Sequence, residues 1–244
     1  MDGPDNMALD EALLLRARAT GETVLRTYTW AVPTLSLGRN QRAAGEYDTA
    51  MLARAGLAVV RRPTGGRALV HHREITYSVT APVAGPLGHT YARINALLIN
   101  ALGALGVPTG IAERRARAPV PSGLPCFAEP GAGELVAEGR KLVGSAQWRD
   151  DGALLQHGSI LVDDDQGLLA GLRSTSPDAV PPPATLRALL GRAPSVAEFS
   201  GHLLDAVRAL EDPACQWWNP EPAVLCDAAR LALRYRDPAW TWRR

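Results

Sequence analysis

The stretch Glu134-Leu135-Val136-Ala137-Glu138-Gly139-Arg140-Lys141-Leu142-Val143-Gly144-Ser145-Ala146-Gln147 decides the fold class. Glu134 to Glu138 and Lys141 to Gln147 flank a tight turn at Gly139, which predicts a β-hairpin. Asp150-Asp151-Gly152 turns the chain again into a third predicted strand, Ala153 to Val162. Strands joined by turns this short build a sheet from hairpins, without a helix between each pair.

The same stretch holds the chain's single lysine. Of 26 lysine and arginine side chains, only Lys141 is not arginine. On a solvated surface the two residues exchange freely, so a chain this biased towards arginine has lost its replaceable lysines. One that remains reads either as a leftover of that bias or, the favoured reading, as a place where a compact ammonium is needed and a planar guanidinium does not fit.

Working outward, Met7, Leu9, Leu13 and Leu14 recur at near-helical spacing and predict a helix from about Asn6 to Ala19. Strands are predicted around Val24 to Trp30, Thr34 to Gly38, Leu57 to Arg62, Ala68 to His71 and Glu74 to Thr80. In the last, Ile75, Tyr77 and Val79 alternate with Thr76, Ser78 and Thr80, the pattern of a half-buried strand. Helices are predicted over Tyr47 to Ala55 and Tyr91 to Leu105. Another begins at Ser195, with Glu198 three residues on as a capping box. Helices do not alternate strictly with strands. The expected fold class is therefore α/β of the α+β type: one domain over residues 1–244, with a mixed, hairpin-rich sheet flanked by helices.

Composition limits the function. Hydrophobic residues make up 46% and charged residues 21%, which suits a sizeable core. A net charge of +1 gives no electrostatic case for nucleic acid. No apolar run approaches the ~20 residues that span a bilayer. The start, Met1-Asp2-Gly3-Pro4-Asp5-Asn6, lacks the basic and apolar regions of a secretion signal, so the expected location is cytoplasmic. Cys126, Cys215 and Cys226 have no metal-ligand spacing and are odd in number, so neither a metal site nor a disulfide framework is expected. Cys215 and Cys226 lie in an apolar stretch and read as small buried hydrophobes. Cys126 follows Pro119-Val120-Pro121-Ser122-Gly123-Leu124-Pro125, an ordered loop by composition, and loops carry chemistry more often than cores do.

Two further segments join the hairpin. In Arg61-Arg62-Pro63-Thr64-Gly65-Gly66-Arg67-Ala68-Leu69-Val70-His71, paired glycines between strands let backbone approach a ligand closely, and Arg61, Arg62 and Arg67 are placed to hold an anionic group. An ordinary turn with solvated arginines has the same sequence. It is not a Walker loop, because the glycine spacing differs and no Lys-Ser/Thr follows. In Leu155-Gln156-His157-Gly158-Ser159, His157 reads either as a proton shuttle or as a hydrogen-bonded strand histidine. The second is favoured, because Gly158 beside it suggests packing, and His71 reads the same way.

In this order and with these separations, the three segments resemble the biotin/lipoate protein ligase superfamily. The resemblance runs from Asn6-Met7-Ala8-Leu9-Asp10 to Tyr235 and Trp240. Within it, Gly65 to His71, Glu74-Ile75-Thr76-Tyr77-Ser78, and Cys126-Phe127 ahead of Glu134-Leu135 look like the cysteine-dependent octanoyltransferases (LipM type). ATP-dependent lipoate ligases typically have a third glycine where Arg67 stands, Asn where Thr76 stands, and no cysteine at Cys126. Two positions depart from the family: His72 stands where Asp is common, and Glu129 to Gly133 is looser than usual.

The resemblance implies a sheet enclosing an acyl tunnel, with Cys126 as nucleophile and Lys141 as an essential lysine. It implies substrate contacts from Arg61, Thr64, Gly65, Gly66, Arg67, His71, Gly144, Ser145, Ala146, His157 and Gly158, and neither metal nor cofactor. Octanoyl would pass from octanoyl-acyl carrier protein to a lysine of a lipoyl domain, such as that of the glycine-cleavage H protein. The alternatives are an ATP-dependent lipoate–protein ligase, an amidotransferase between lipoyl domains, and a non-enzymatic acyl-protein-binding module, which would need neither Cys126 nor Lys141.

Physical chemistry supports the pairing of cysteine and lysine. A free thiol with a pKa of about 8.5 is only a few per cent ionised at neutral pH. An adjacent ammonium favours the thiolate and donates to a developing oxyanion, which is worth roughly 3–4 kcal/mol per donor in comparable sites. Just before the cysteine loop, Glu113-Arg114-Arg115-Ala116-Arg117 is the densest basic cluster. Such a run is usually a solvated turn, but the acyl carrier donor that the resemblance implies is acidic and makes it an expected docking rim.

Overall fold

A computed structural model describes residues 1–83, 85–113, 126–127, 129–169 and 182–244. The basic cluster at Arg114, Arg115 and Arg117, and the proline-rich loop Pro119 to Pro125, lie outside the described residues.

Helix α1 spans Gly3–Thr20. Asp2 caps it by accepting from the Asp5 amide at 2.8 Å, and Gly21 ends it in the left-handed region at φ 73°. Strands β1 (Val24–Tyr28) and β2 (Thr34–Leu37) follow, then α2 (Thr49–Arg54), β3 (Ala58–Arg61), β4 (Leu69–His71) and β5 (Glu74–Pro82). Helix α3 (Leu87–Ala104) begins a turn earlier than predicted, and β6 (Gly110–Ile111) is a short edge. Strands β7 (Leu135–Ala137), β8 (Arg140–Asp150) and β9 (Ala153–Leu161) are the predicted hairpins. Positive φ at Glu138, Gly139, Asp151 and Gly152 marks their two turns. A 3₁₀ turn at Gln166–Leu169 precedes α4 (Leu186–Leu190), α5 (Val196–Leu210), α6 (Pro222–Arg236) and α7 (Pro238–Thr241). Ser195 caps α5 as expected, accepting from the Glu198 amide at 3.0 Å.

There are two sheets where one mixed sheet was predicted. The larger has the order β1-β5-β9-β8-β7-β6, and every pairing in it is antiparallel. The mixed character is confined to a small sheet, β3-β2-β4, in which β2 runs parallel to β3 and antiparallel to β4.

Strand β5 is buried on both faces along Glu74 to Thr80, not on one. Ile75, Tyr77 and Val79 join Leu98 and Leu102 of α3 and Phe199 and Leu203 of α5 in the main core. Thr76, Ser78 and Thr80 point away from it, towards α1, and Ser78 donates to Asp10 of that helix at 2.7 Å. On that side of the sheet, Leu14 and Ala17 of α1 pack on Ala153 and Leu155 of β9. On the polar half of the strand, the hydroxyls of Thr76 and Ser78 are satisfied within a buried hydrogen-bond network, whereas Thr80 Oγ1 is buried without a partner among the described residues.

Two glycines are fixed by close approach. A Cβ on Gly38 would lie 2.0 Å from the Gly66 carbonyl oxygen, and one on Gly158 would lie 2.6 Å from the Gly144 oxygen and 2.7 Å from the Tyr77 ring. The C-terminal cysteines depart from expectation: Cys226 is exposed on α6 and Cys215 is half-buried. Trp217, beside Cys215, is 69% exposed, so this apolar stretch is surface rather than core.

Candidate active site

A cavity of about 190 Å³ opens between the two sheets. Cys126 and Lys141 meet on its wall. Lys141 stands at the start of β8, and its Nζ donates to the Cys126 carbonyl oxygen at 2.7 Å and contacts Cys126 Sγ at 3.6 Å. The ammonium also pairs with Glu134 Oε1 at 2.7 Å and lies 4.8 Å from the centre of the Phe127 ring. Cys126 is tied back to the small sheet by its own amide, which donates to the Ala68 carbonyl at 3.2 Å. Glu134 is fixed in turn, its Oε2 accepting from the Gly131 amide at 2.6 Å. Gly144 makes room for the lysine, since a Cβ there would meet Lys141 Cε and Phe127 Cζ at 3.1 Å.

The glycine-rich turn is shaped by Arg62. Its Nε and Nη2 donate to the Gly65 carbonyl at 3.0 and 2.8 Å, its Nη2 to that of Arg67 at 2.9 Å, and its Nη1 to that of Ser36 at 3.0 Å. Complete burial pushes the Arg62 guanidinium down to about 10; the neighbouring Cys126 opposes that shift and Arg61 adds to it. Gly66 sits at φ 97°, and a Cβ on it would strike Arg62 Nη2 at 2.7 Å. Gly66 and Arg67 line the cavity, while Gly65 does not and presents its carbonyl to Arg62.

Arg61 is not at the site. Successive strand residues point to opposite faces, and Arg61 points away from the cavity. It is fully buried, donating to the carbonyls of Gly38, Gln41 and Thr241 at 2.6 to 2.8 Å. The expectation that it contacts substrate is corrected: it ties the small sheet to the C-terminal segment.

Both histidines are built into networks. His157 has its ring nitrogens committed, Nε2 to Thr64 Oγ1 at 2.7 Å and Nδ1 to Asp10 Oδ2 at 3.3 Å. Asp10 also accepts from Arg26 at 2.8 Å and from the Tyr28 hydroxyl at 2.8 Å. Burial lowers the affinity of His157 for a proton, against the opposing pull of Asp10. Thr64 thus touches the site through His157. His71 pairs by Nδ1 with Glu74 Oε1 at 2.8 Å. Behind the cavity lining, Tyr77 of the main core shares a 2.7 Å hydrogen bond with Ser145 and accepts from Gln156 at 2.8 Å.

The cavity brings together Gly66, Arg67, His71, Cys126, Lys141, Gly144, Ser145, Ala146, His157 and Gly158. Sequence reasoning missed Glu134, Asp10, Trp30 and the role of Arg62. The signal for Glu134 was its place beside the hairpin, where it was read only as a strand end. Among the described residues, no three His, Cys, Asp or Glu side chains are grouped to hold a metal ion, and no helix is long and apolar enough to cross a membrane.

The lipoyl protein ligase A/B catalytic domain matches residues 2–208. A protein of Kyrpidia tusciae named octanoyltransferase LipM is 46% identical over 183 residues, covering 70% of this chain and 66% of that protein. Another of the same name, from Symbiobacterium thermophilum, is 40% identical over 208 residues, covering 82% and 75%. The chain thus spans about two thirds to three quarters of the length of these relatives. Among solved structures, that of lipoate-protein ligase A bound with ATP superposes with a TM-score of 0.80 at 20% identity, over 99% of this chain and 94% of that one, a likeness of fold.

Proposed function

The chain belongs to the lipoyl protein ligase A/B catalytic family, and from that premise we propose that it is an octanoyltransferase of lipoate biosynthesis working through a thioester on Cys126. The observation that carries the reading is the 3.6 Å contact between Cys126 Sγ and Lys141 Nζ on the wall of the cavity.

In the first step the Cys126 thiolate attacks the carbonyl carbon of an octanoyl thioester, and the donor's sulfur leaves as its thiol. Lys141 holds the thiolate and donates to the oxygen that becomes an oxyanion, a term of roughly 3–4 kcal/mol. The acyl chain lies in the cavity against Gly144, Ser145, Ala146 and Gly158. Gly66, Arg67 and His71 line the cavity around the chain. In the second step an acceptor lysine attacks the Cys126 thioester, forming an amide and releasing the cysteine. The donor is octanoyl-acyl carrier protein, and the acceptor is a lipoyl domain such as that of the glycine-cleavage H protein. The reading takes residues 1–244 as one catalytic domain and places the reaction in the cytoplasm, with no metal or cofactor.

Intact mass after mixing with octanoyl-acyl carrier protein tests it. The expected result is one added octanoyl group, removed by hydroxylamine and absent in Cys126→Ala, with that variant's circular dichroism unchanged. Unimpaired transfer by Cys126→Ala, or octanoate-dependent ATP/pyrophosphate exchange by the native protein, overturns the reading.

A further inference from the structure

The second step poses a proton problem that Cys126 and Lys141 leave unsolved. A lysine with a pKa of about 10.4 is neutral in only about one molecule in 2,500 at pH 7. Only the neutral amine is a nucleophile. The ammonium must therefore lose a proton at the site, and the described cavity wall supplies few groups to take it.

Glu134 is the one carboxylate among the described residues lining the cavity, alongside the cations Arg62, Arg67 and Lys141. His157 has both nitrogens engaged. Lys141 is itself a donor to Cys126 and Glu134. Glu134 is 13% exposed, its Oε1 is 2.7 Å from the Lys141 ammonium, and that ammonium is 3.6 Å from the sulfur bearing the acyl group in the proposed intermediate. The carboxylate and the acylated sulfur thus share one neighbour, the Lys141 ammonium, on the wall that an incoming amine must approach. Three surrounding cations disfavour a fourth, which adds to the drive for the entering ammonium to give up its proton.

Resting on the octanoyltransferase reading, we propose that Glu134 is a catalytic residue of the second step, the general base that accepts the proton of the incoming lysine ammonium. One N–H bond breaks and its proton passes to the Glu134 carboxylate. The freed electron pair forms the C–N bond, and the carbonyl oxygen takes up negative charge beside Lys141. As the oxyanion collapses, the C–S bond breaks and the Cys126 sulfur leaves with the electron pair. It recovers a proton from the nitrogen as the neutral amide forms. Glu134 then returns its proton to solvent.

The test separates the two half-reactions in Glu134→Gln, which keeps the side chain's size and an acceptor for Lys141. Acyl-Cys126 formation from a small octanoyl thioester and its discharge to the lipoyl domain are timed by quenched-flow intact mass. Discharge to the lipoyl lysine is expected to fall about 10²-fold more than acylation, within the usual range for a general base. The lost discharge should recover with rising pH as more of the lysine ammonium loses its proton in solution. Discharge to hydroxylamine, which is neutral at pH 7 and needs no base, should proceed near the wild-type rate. Equal losses in both half-reactions, or a hydroxylamine discharge as slow as that to lysine, would assign Glu134 to aligning Lys141 and overturn the proposal. So would His71→Asn reproducing the selective loss while Glu134→Gln does not. If the native enzyme never acylates Cys126, the octanoyltransferase mechanism itself fails.

Discussion

Trp30 lies flat against His71, with ring centroids 3.9 Å apart and planes 8° from parallel. The indole Nε1 donates to Thr76 Oγ1 at 2.8 Å, and Trp30, His71 and Thr76 all line the cavity with Met7 and Tyr28. A wall held by a stacked pair and a hydrogen bond is stiff, and a stiff wall sets how much acyl chain fits. Trp30→Leu is therefore expected to relax chain-length selection, with transfer from decanoyl and dodecanoyl thioesters rising relative to octanoyl. Competition between the three donors, read by product mass, checks it. An unchanged ranking would place the chain's end elsewhere.

Lys141→Arg should be nearly as damaging as Lys141→Ala, although it keeps the charge. The ammonium fits between the Cys126 carbonyl, Glu134 and Phe127, with Gly144 leaving no spare volume beneath it. A guanidinium shifts its donors by about an ångström, which costs on the order of 10²-fold in rate. Gly144→Ala should act on the same atom from the other side with a smaller loss, because the lysine's flexible end yields by a few tenths of an ångström. Steady-state transfer rates and melting temperatures of the three variants are the measurement. An active Lys141→Arg enzyme would reduce the lysine to a structural role.

Side chains of reactive type were legible in the sequence, and side chains placed by a distant partner were not. The single lysine, the loop cysteine and the glycine pair pointed to the wall on which Cys126 and Lys141 now meet. Asp10 and His157 are 147 positions apart, and nothing local to either announces the other. Strand alternation held the signal that separates Arg62 from Arg61, because neighbours on a strand face opposite ways and only one reaches the cavity. The same alternation misled at β5. Thr76, Ser78 and Thr80 read as a solvated face because hydroxyls are equally at home in water and in a buried network, and only the packing of α1 decides between them. Cys226 failed for the converse reason: apolar neighbours in sequence do not say which side of a helix packs.

Acid should unfold the protein in two stages, beginning with His157. Burial holds its pKa below the ordinary 6.5, with the hydrogen bond and charge of Asp10 opposing. Between that depressed value and 6.5 the unfolded chain binds more protons than the folded one, so stability falls as pH drops through this window. Asp10 follows at lower pH. Burial raises its pKa, but the hydrogen bond from His157 and the charge on Arg26 outweigh burial and hold it below 3.8. Its contribution is present above 3.8 and is lost as pH falls through the folded value. Melting temperature measured from pH 7.5 to 3.5 should therefore decline first below about pH 6.5, by roughly 2–4 °C for each kcal/mol lost. His157→Asn is expected to start from a lower melting temperature and to lack that first decline. If the variant's profile parallels the native one, the early acid sensitivity belongs to another group.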